Sequence, residues 1–142
     1  MIFPEPLING ILLKRYKRFL ADIRLENGEV ITAHCPNSGS MKGCNIPGNP
    51  VMVSFHNNPS RKLKYTWELI QINNQWVGIN TGHPNKLVPE AIREGKIPEL
   101  LGYPFIKPEV RVGKNSRIDL MLENDREQCF VEIKNVTLLE ET

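Results

Sequence analysis

No apolar run in this chain approaches the ~20 residues that a bilayer-spanning helix needs. The start, Met1-Ile2-Phe3-Pro4-Glu5-Pro6, lacks a basic segment followed by a long apolar stretch, so it does not read as a secretory signal. Cysteine is scarce, with only Cys35, Cys44 and Cys129. An odd, sparse set argues against a disulfide framework and fits a reducing compartment, so the expected location is the cytoplasm, with no membrane partner. His34, Cys35 and Cys44 have neither the spacing nor the fourth ligand of a zinc site. A Gly-x-Ser-x-Gly elbow and a phosphate-cradling Gly-rich loop ending in Lys-Ser/Thr are both missing. Internal repeats and low-complexity tracts are missing too. A strong excess of one sign of charge is lacking too: 18 Lys and Arg stand against 16 Asp and Glu, a net charge of +2.

What is present is ordinary globular material, 40% hydrophobic and 24% charged in 142 residues. That length suits one domain or two small ones. The charge is unevenly spread. Residues 1–83 hold nine Lys/Arg against five Asp/Glu, and residues 84–142 hold nine against eleven. The first part is therefore a candidate for polyanion contact, although an uneven surface needs no partner to explain it.

Residues 1–83 read as short strands separated by turns. Gly10 to Arg15 and Phe19 to Glu26 are strand candidates, either separate or one long bent strand. Asn27-Gly28 turns the chain into Glu29 to Ala33. Val51 to Phe55 follows the breaker cluster Pro47-Gly48-Asn49-Pro50. Lys62 to Ile72 is next, and Asn73-Asn74 turns it into Gln75 to Ile79. About five antiparallel strands in this length suit a small closed barrel of the OB type, with an SH3-like barrel as the rival.

Thr81-Gly82-His83-Pro84 marks a boundary, dividing the chain into 1–83 and 84–142. Asn85 is placed to cap a helix through Val88, Ala91 and Ile92 that stops at Gly95. Pro89 belongs in its first turn or starts a new one. Three strand candidates follow: Glu109 to Val112, Arg117 to Leu122 and Gln128 to Asn135. The class is α+β.

The residues with chemical promise are Asp119, in Ser116-Arg117-Ile118-Asp119, and Glu132 with Lys134, in Val131-Glu132-Ile133-Lys134. The twelve residues between Asp119 and Glu132 allow a hairpin that sets the two strands side by side. Glu132 and Lys134 are two apart and share a face, and Val131 and Ile133 point the other way. Two carboxylates and a backbone carbonyl form an oxygen-rich site for Mg²⁺ or Mn²⁺, with Lys134 beside the water or phosphate. Glu90 or Glu94 could add a third carboxylate. The same pattern also describes any strand with one solvated face.

Two basic stretches carry aromatics: Lys14-Arg15-Tyr16-Lys17-Arg18-Phe19, and Arg61-Lys62-Leu63-Lys64-Tyr65-Thr66-Trp67. Cations on phosphates and rings under bases hold nucleic acid without reading sequence. In a strand, Lys14, Tyr16 and Arg18 would share one face. Phe19 and Trp67 read more readily as barrel core. Asn37-Ser38-Gly39-Ser40 is either an anion-binding nest of N–H groups or plain turn chemistry.

Several segments together resemble the sugar fermentation stimulation protein A (SfsA) family. They are Arg15 to Asp22, Ala33-His34-Cys35-Pro36-Asn37-Ser38-Gly39-Ser40-Met41, Arg61-Lys62, Asn80-Thr81, Ser116 to Asp119, and Val131-Glu132-Ile133-Lys134-Asn135-Val136-Thr137-Leu138. The resemblance implies an OB-like N-terminal domain and a C-terminal domain of the restriction-endonuclease-like, PD-(D/E)xK type. It implies non-sequence-specific DNA binding and a regulatory role in sugar (maltose) metabolism. The nuclease-like motif maps onto Asp119, Glu132 and Lys134. Members of the family continue past the equivalent of Leu138, so Leu139-Glu140-Glu141-Thr142 is expected to leave the second domain truncated, with an apolar edge that favours self-association.

Three functions follow as expectations. The first is non-specific DNA binding through Lys14, Arg15, Tyr16, Lys17, Arg18, Arg61 and Lys62. The second is a Mg²⁺-dependent nuclease with Asp119 and Glu132 as metal ligands and Lys134 as the third catalytic group. The third is an interaction module whose nuclease-like site is vestigial.

Overall fold

The computed structural model describes Phe3 and residues 5–138. Part of the leader reading, and all of the reading on Leu139 to Thr142, falls outside these residues. The chain divides into two compact units. One runs up to Thr81 and includes Val136 to Leu138; the other is Gly82–Asn135. The sequence division kept everything from 84 onward together. In the structure the residues after Asn135 group with the first unit, where the Cys44 thiol donates to the Thr137 carbonyl at 2.6 Å.

The first unit contains β1 (Ile8–Tyr16), β2 (Leu20–Leu25), β3 (Val30–His34), β4 (Pro50–Phe55), β5 (Tyr65–Ile72) and β6 (Gln75–Gly78). Antiparallel neighbours run β3-β2-β1-β4-β5-β6. A short parallel pairing, Ala33 with Tyr65 and His34 with Thr66, joins β3 to β5 and closes the first five strands into a barrel. This is the OB-like arrangement rather than the SH3-like one. The strands form because apolar residues recur at period two. On β2, Ala21, Ile23 and Leu25 are buried while Asp22 and Arg24 point outward. They pack with Leu12, Ala33, Val51, Val53, Trp67, Ile70 and Ile79, all fully buried. Burial of each large side chain is worth about 1.5–3 kcal/mol.

Two expectations for this unit need correction. Gly10–Arg15 and Phe19–Glu26 are not one bent strand: they form a hairpin, with Tyr16 opposite Leu20. Lys17 and Arg18 make the turn with φ of 51° and 63°, so they have left the strand and its alternation. The second basic stretch is largely loop, since β5 begins only at Tyr65. The Asn58 side chain accepts the Ser60 N–H at 3.0 Å and the Ser60 hydroxyl at 2.7 Å, and the Asn58 carbonyl accepts the Arg61 N–H at 3.0 Å. This side-chain and backbone bonding outcompetes strand pairing there.

The second unit contains α1 (Pro84–Arg93), a 3-10 turn at Pro98–Leu100, and β7 (Phe105–Val112), β8 (Ser116–Glu123) and β9 (Gln128–Val131). The three strands form an antiparallel sheet in the order β7-β8-β9. Leu120 and Leu122 of β8 and Ile92 of α1 form its core, with Val88, Ile106, Cys129 and Val131 packed against them. The cap of α1 is His83, not Asn85, and its side chain does not bond the N–H groups of the first turn. Pro84 occupies the first turn instead, where a proline costs no hydrogen bond. Pro89 lies inside the helix and is buried. The helix does stop at Gly95, whose φ of 71° is left-handed. The Gly95 N–H donates to Ile92 at 3.0 Å and the Lys96 N–H donates to Ala91 at 2.9 Å, the paired bonds of a Schellman ending. Among the described residues no helix is long and apolar enough to cross a membrane.

Candidate functional site

The basic residues of the barrel are positioned by one irregularity in β1. Leu12 pairs with Ile23 but Lys14 pairs with Asp22, so Leu13 is an extra residue, a bulge. The bulge turns Lys14 outward and sets Arg15 opposite the buried Ala21. Lys14 then lies 4.0 Å from Asp22 and 5.1 Å from the centre of the Tyr16 ring. The Tyr16 and Thr32 hydroxyls both donate to Asp22 at 3.0 Å.

Arg15 is half-buried, and its guanidinium is engaged by the protein itself. Its guanidinium donates to the carbonyls of Asn37 at 2.8 Å, Gly39 at 2.7 Å, Ser40 at 3.3 Å and Arg18 at 3.2 Å. The loop after β3 therefore turns carbonyls onto a cation, and the Gly39 N–H is taken by the Asn37 side chain at 2.9 Å. Of the two alternatives for Asn37 to Ser40, these contacts fit turn chemistry.

Lys17, Arg18 and Phe19 are exposed at the β1–β2 turn. Phe19 is 52% accessible, against the expectation that it is core, because the turn carries it off the inward face. Trp67 is core, fully buried, with its ring N–H on the Leu69 carbonyl at 3.0 Å. Lys62 is exposed on the β4–β5 loop, and Arg61 beside it donates to the Thr66 hydroxyl at 2.8 Å. Strand register places these two segments at one end of the barrel. Leu20 at the start of β2 pairs with His34 at the end of β3, and His34 pairs with Thr66 at the start of β5. The β1–β2 turn and the β4–β5 loop thus flank the same strand end.

In the second unit, Leu120 pairs with Val131. Continued by one residue, that register sets Asp119 opposite Glu132. The ladder ends there, and an Asp119 oxygen accepts the Ile133 N–H at 2.8 Å in its place. Lys134 lies 2.8 Å from Glu132. That bond, helped by the more distant Asp119 charge, raises the Lys134 ammonium above its ordinary value. Asp119, Glu132 and Lys134 therefore gather at one edge of the sheet. Glu94 is bound to Lys96 at 2.7 Å, and among the described residues no three His, Cys, Asp or Glu converge as a metal cage, so neither Glu90 nor Glu94 completes one with Asp119 and Glu132.

A closed OB-like barrel followed by a helix and a three-stranded sheet defines an α+β protein of two units. Residues 13–79 match the SfsA N-terminal OB domain, and residues 82–142 match the sugar fermentation stimulation protein RE domain. The chain belongs to the sugar fermentation stimulation protein family. It is 61% identical over 140 residues to the sugar fermentation stimulation protein homolog of Geotalea uraniireducens strain Rf4, an alignment covering 99% of this chain and 61% of that protein. It is 60% identical over 140 residues to the homolog of Geobacter sulfurreducens, covering 99% of this chain and 60% of that one. A solved structure of Pyrococcus furiosus SfsA in complex with Ca²⁺ superposes with a TM-score of 0.77 at 28% identity, covering 92% of this chain and 55% of that one. The chain thus spans about three-fifths of the length of the curated relatives it matches.

Proposed function

We propose that the chain binds DNA without sequence preference, at the end of the barrel formed by the β1–β2 turn and the β4–β5 loop. One observation carries this reading. Both basic segments fall on the two loops with which OB barrels hold oligonucleotides, and the register brings those loops to one strand end. Lys17 and Arg18 supply phosphate contacts, with Lys62 across from them. The exposed Phe19 ring supplies a stacking platform. Lys14 and Tyr16 extend the surface along β1. Arg15 and Arg61 hold the loops in shape. The family resemblance adds a regulatory role in sugar metabolism, exercised in the cytoplasm.

The test is fluorescence anisotropy of a labelled DNA duplex titrated with the full chain at several salt concentrations. Log affinity should fall steeply with log salt, and Lys17→Gln with Arg18→Gln should flatten the slope by about 0.9 for each lost phosphate contact. A wild-type affinity that ignores salt would sink the reading.

A second reading, metal-dependent cleavage, has its own support. Asp119 and Glu132 offer hard oxygens at one sheet edge, a donor set that suits Mg²⁺ or Ca²⁺ completed by water, and the Pyrococcus furiosus relative was solved with Ca²⁺. Asp119 and Glu132 would hold the ion, which supplies Lewis-acid activation of a phosphate oxygen or water. Lys134 orients Glu132 and sets a positive charge beside the phosphate. Incubating DNA with the chain, with and without Mg²⁺ or Mn²⁺, tests this reading. Cleavage that persists in Asp119→Ala would exclude it.

A further inference from the structure

Arg117 stands two residues before Asp119 on β8, so both side chains leave the same face of the sheet. Arg111 of β7 is the direct cross-strand partner of Arg117. Two guanidinium groups therefore project side by side from one face, with about 5 Å between their Cβ atoms. They lie one row, about 7 Å along the strand, from Asp119. Both are exposed, and Lys114 in the connecting turn is exposed as well. Like charges placed directly opposite one another destabilise a sheet. No acid is paired with either arginine: among the described residues neither forms a hydrogen bond or ion pair. The chain bears a local cost that an anion would remove.

We propose that Arg111 and Arg117 form a second phosphodiester-binding site, which holds the sugar–phosphate backbone of DNA against the sheet face next to Asp119, Glu132 and Lys134. Guanidinium groups match phosphate oxygens in pairs, and two of them one row from the carboxylates would seat a phosphate neighbouring the one at the acidic edge. The site lies wholly in residues 82–135 and does not depend on the barrel cations. It deepens the DNA-binding reading and rests on it only in sharing the ligand.

The experiment compares the full chain with Arg111→Gln/Arg117→Gln and with Arg111→Lys/Arg117→Lys, using a labelled duplex in a salt series. The expected result is a log–log salt slope flattened by about 0.9 per arginine in the glutamine variant and largely kept in the lysine variant. The glutamine variant should melt no lower than wild type, because a repulsive pair has been removed. A glutamine variant with the wild-type slope overturns this site and leaves the barrel reading standing. A lysine variant whose salt slope is as flat as that of the glutamine variant overturns it as well, since the charges would then not be meeting phosphates. A wild-type chain that binds no DNA overturns both readings. Inorganic phosphate at constant ionic strength should not displace the duplex at millimolar concentration; if it does, the site takes free phosphate rather than a chain.

Discussion

An Asp119 carboxylate oxygen accepts the Ile133 backbone N–H at 2.8 Å, two residues past the last ladder residue of β9. The carboxylate thus fastens the strand that carries Glu132 and Lys134. Asp119→Ala should cost about 1–3 kcal/mol in urea denaturation, because it leaves a half-buried N–H without a partner. Asp119→Asn keeps an acceptor and should lose much less. Any metal or DNA effect of the alanine variant must therefore be compared with the asparagine variant. Equal stability of the two variants would show that the bond contributes nothing.

Lys134 gives a readout of its partner. Its ammonium is raised chiefly by the hydrogen bond it donates to Glu132. A group whose folded pKa lies above its unfolded one stabilises the fold fully below the unfolded value, and that support is lost as pH rises through the folded value. The window therefore lies on the alkaline side of the ordinary lysine range. Both side chains are mostly exposed, so no change in melting temperature is expected at pH 7. NMR titration of the Lys134 side chain should show its pKa falling toward the ordinary lysine value in Glu132→Gln. A pKa indifferent to that substitution would contradict the pairing.

Much of this architecture is written in short-range patterns. Asn73-Asn74 announced the β5–β6 hairpin, and both residues take the positive φ, 49° and 63°, that a two-residue turn of this hand requires. The alternation of Val131, Glu132, Ile133 and Lys134 predicted which face each would take, and the burial of these residues alternates accordingly. The β1–β2 turn was not legible, because Lys17 and Arg18 carry no turn chemistry and are held left-handed by the pairing of the strands around them. The Leu13 bulge was equally silent, and with it the aim of Arg15 at the carbonyls of Asn37 to Ser40. The Arg111–Arg117 pair needs the β7–β8 register, which no local pattern states. For Phe19, one turn residue decided between core and surface.

Arg15 tests the difference between a cation that serves the fold and one that serves a ligand. It donates to four backbone carbonyls, three of them in the loop of Asn37 to Ser40. Arg15→Lys cannot reproduce that fork and should cost about 1.5–3 kcal/mol in chemical denaturation. Lys17→Gln, at the exposed turn, should leave stability within about 0.5 kcal/mol and change only the salt slope of DNA binding. An Arg15→Lys chain as stable as wild type would mean that the carbonyl contacts are incidental.

Gly10 reports on how closely β1 and β2 approach. A Cβ there would meet the Ile23 Cγ2 at 2.7 Å and the Arg24 carbonyl oxygen at 3.0 Å, and β1 is held on its other side by Val51 of β4. Gly10→Ala should therefore destabilise the barrel by about 1–3 kcal/mol, as overpacking does. In a strand with free space the same change would stabilise, because glycine weakens strands. A rise in melting temperature for Gly10→Ala would show that β2 can move aside.

The three cysteines should differ in reactivity. Cys35 and Cys44 are buried and Cys129 is half-buried, and none is in a disulfide. Burial raises the Cys44 thiol above its ordinary value. Because the thiolate is the reactive form, Cys44 should be slow toward a thiol reagent such as DTNB at pH 8, and Cys129 should supply the fast phase. Cys129→Ser should abolish that phase and leave the slow one. The raised Cys44 pKa also fixes the sign of a stability change. The unfolded thiol ionises first, so the fold weakens as pH rises from the unfolded value toward the folded one, and Cys44→Ala should remove that part of the alkaline decline. A Cys44 that reacts as fast as Cys129 in the native protein would place it at the surface, which the buried side chain and its bond to the Thr137 carbonyl contradict.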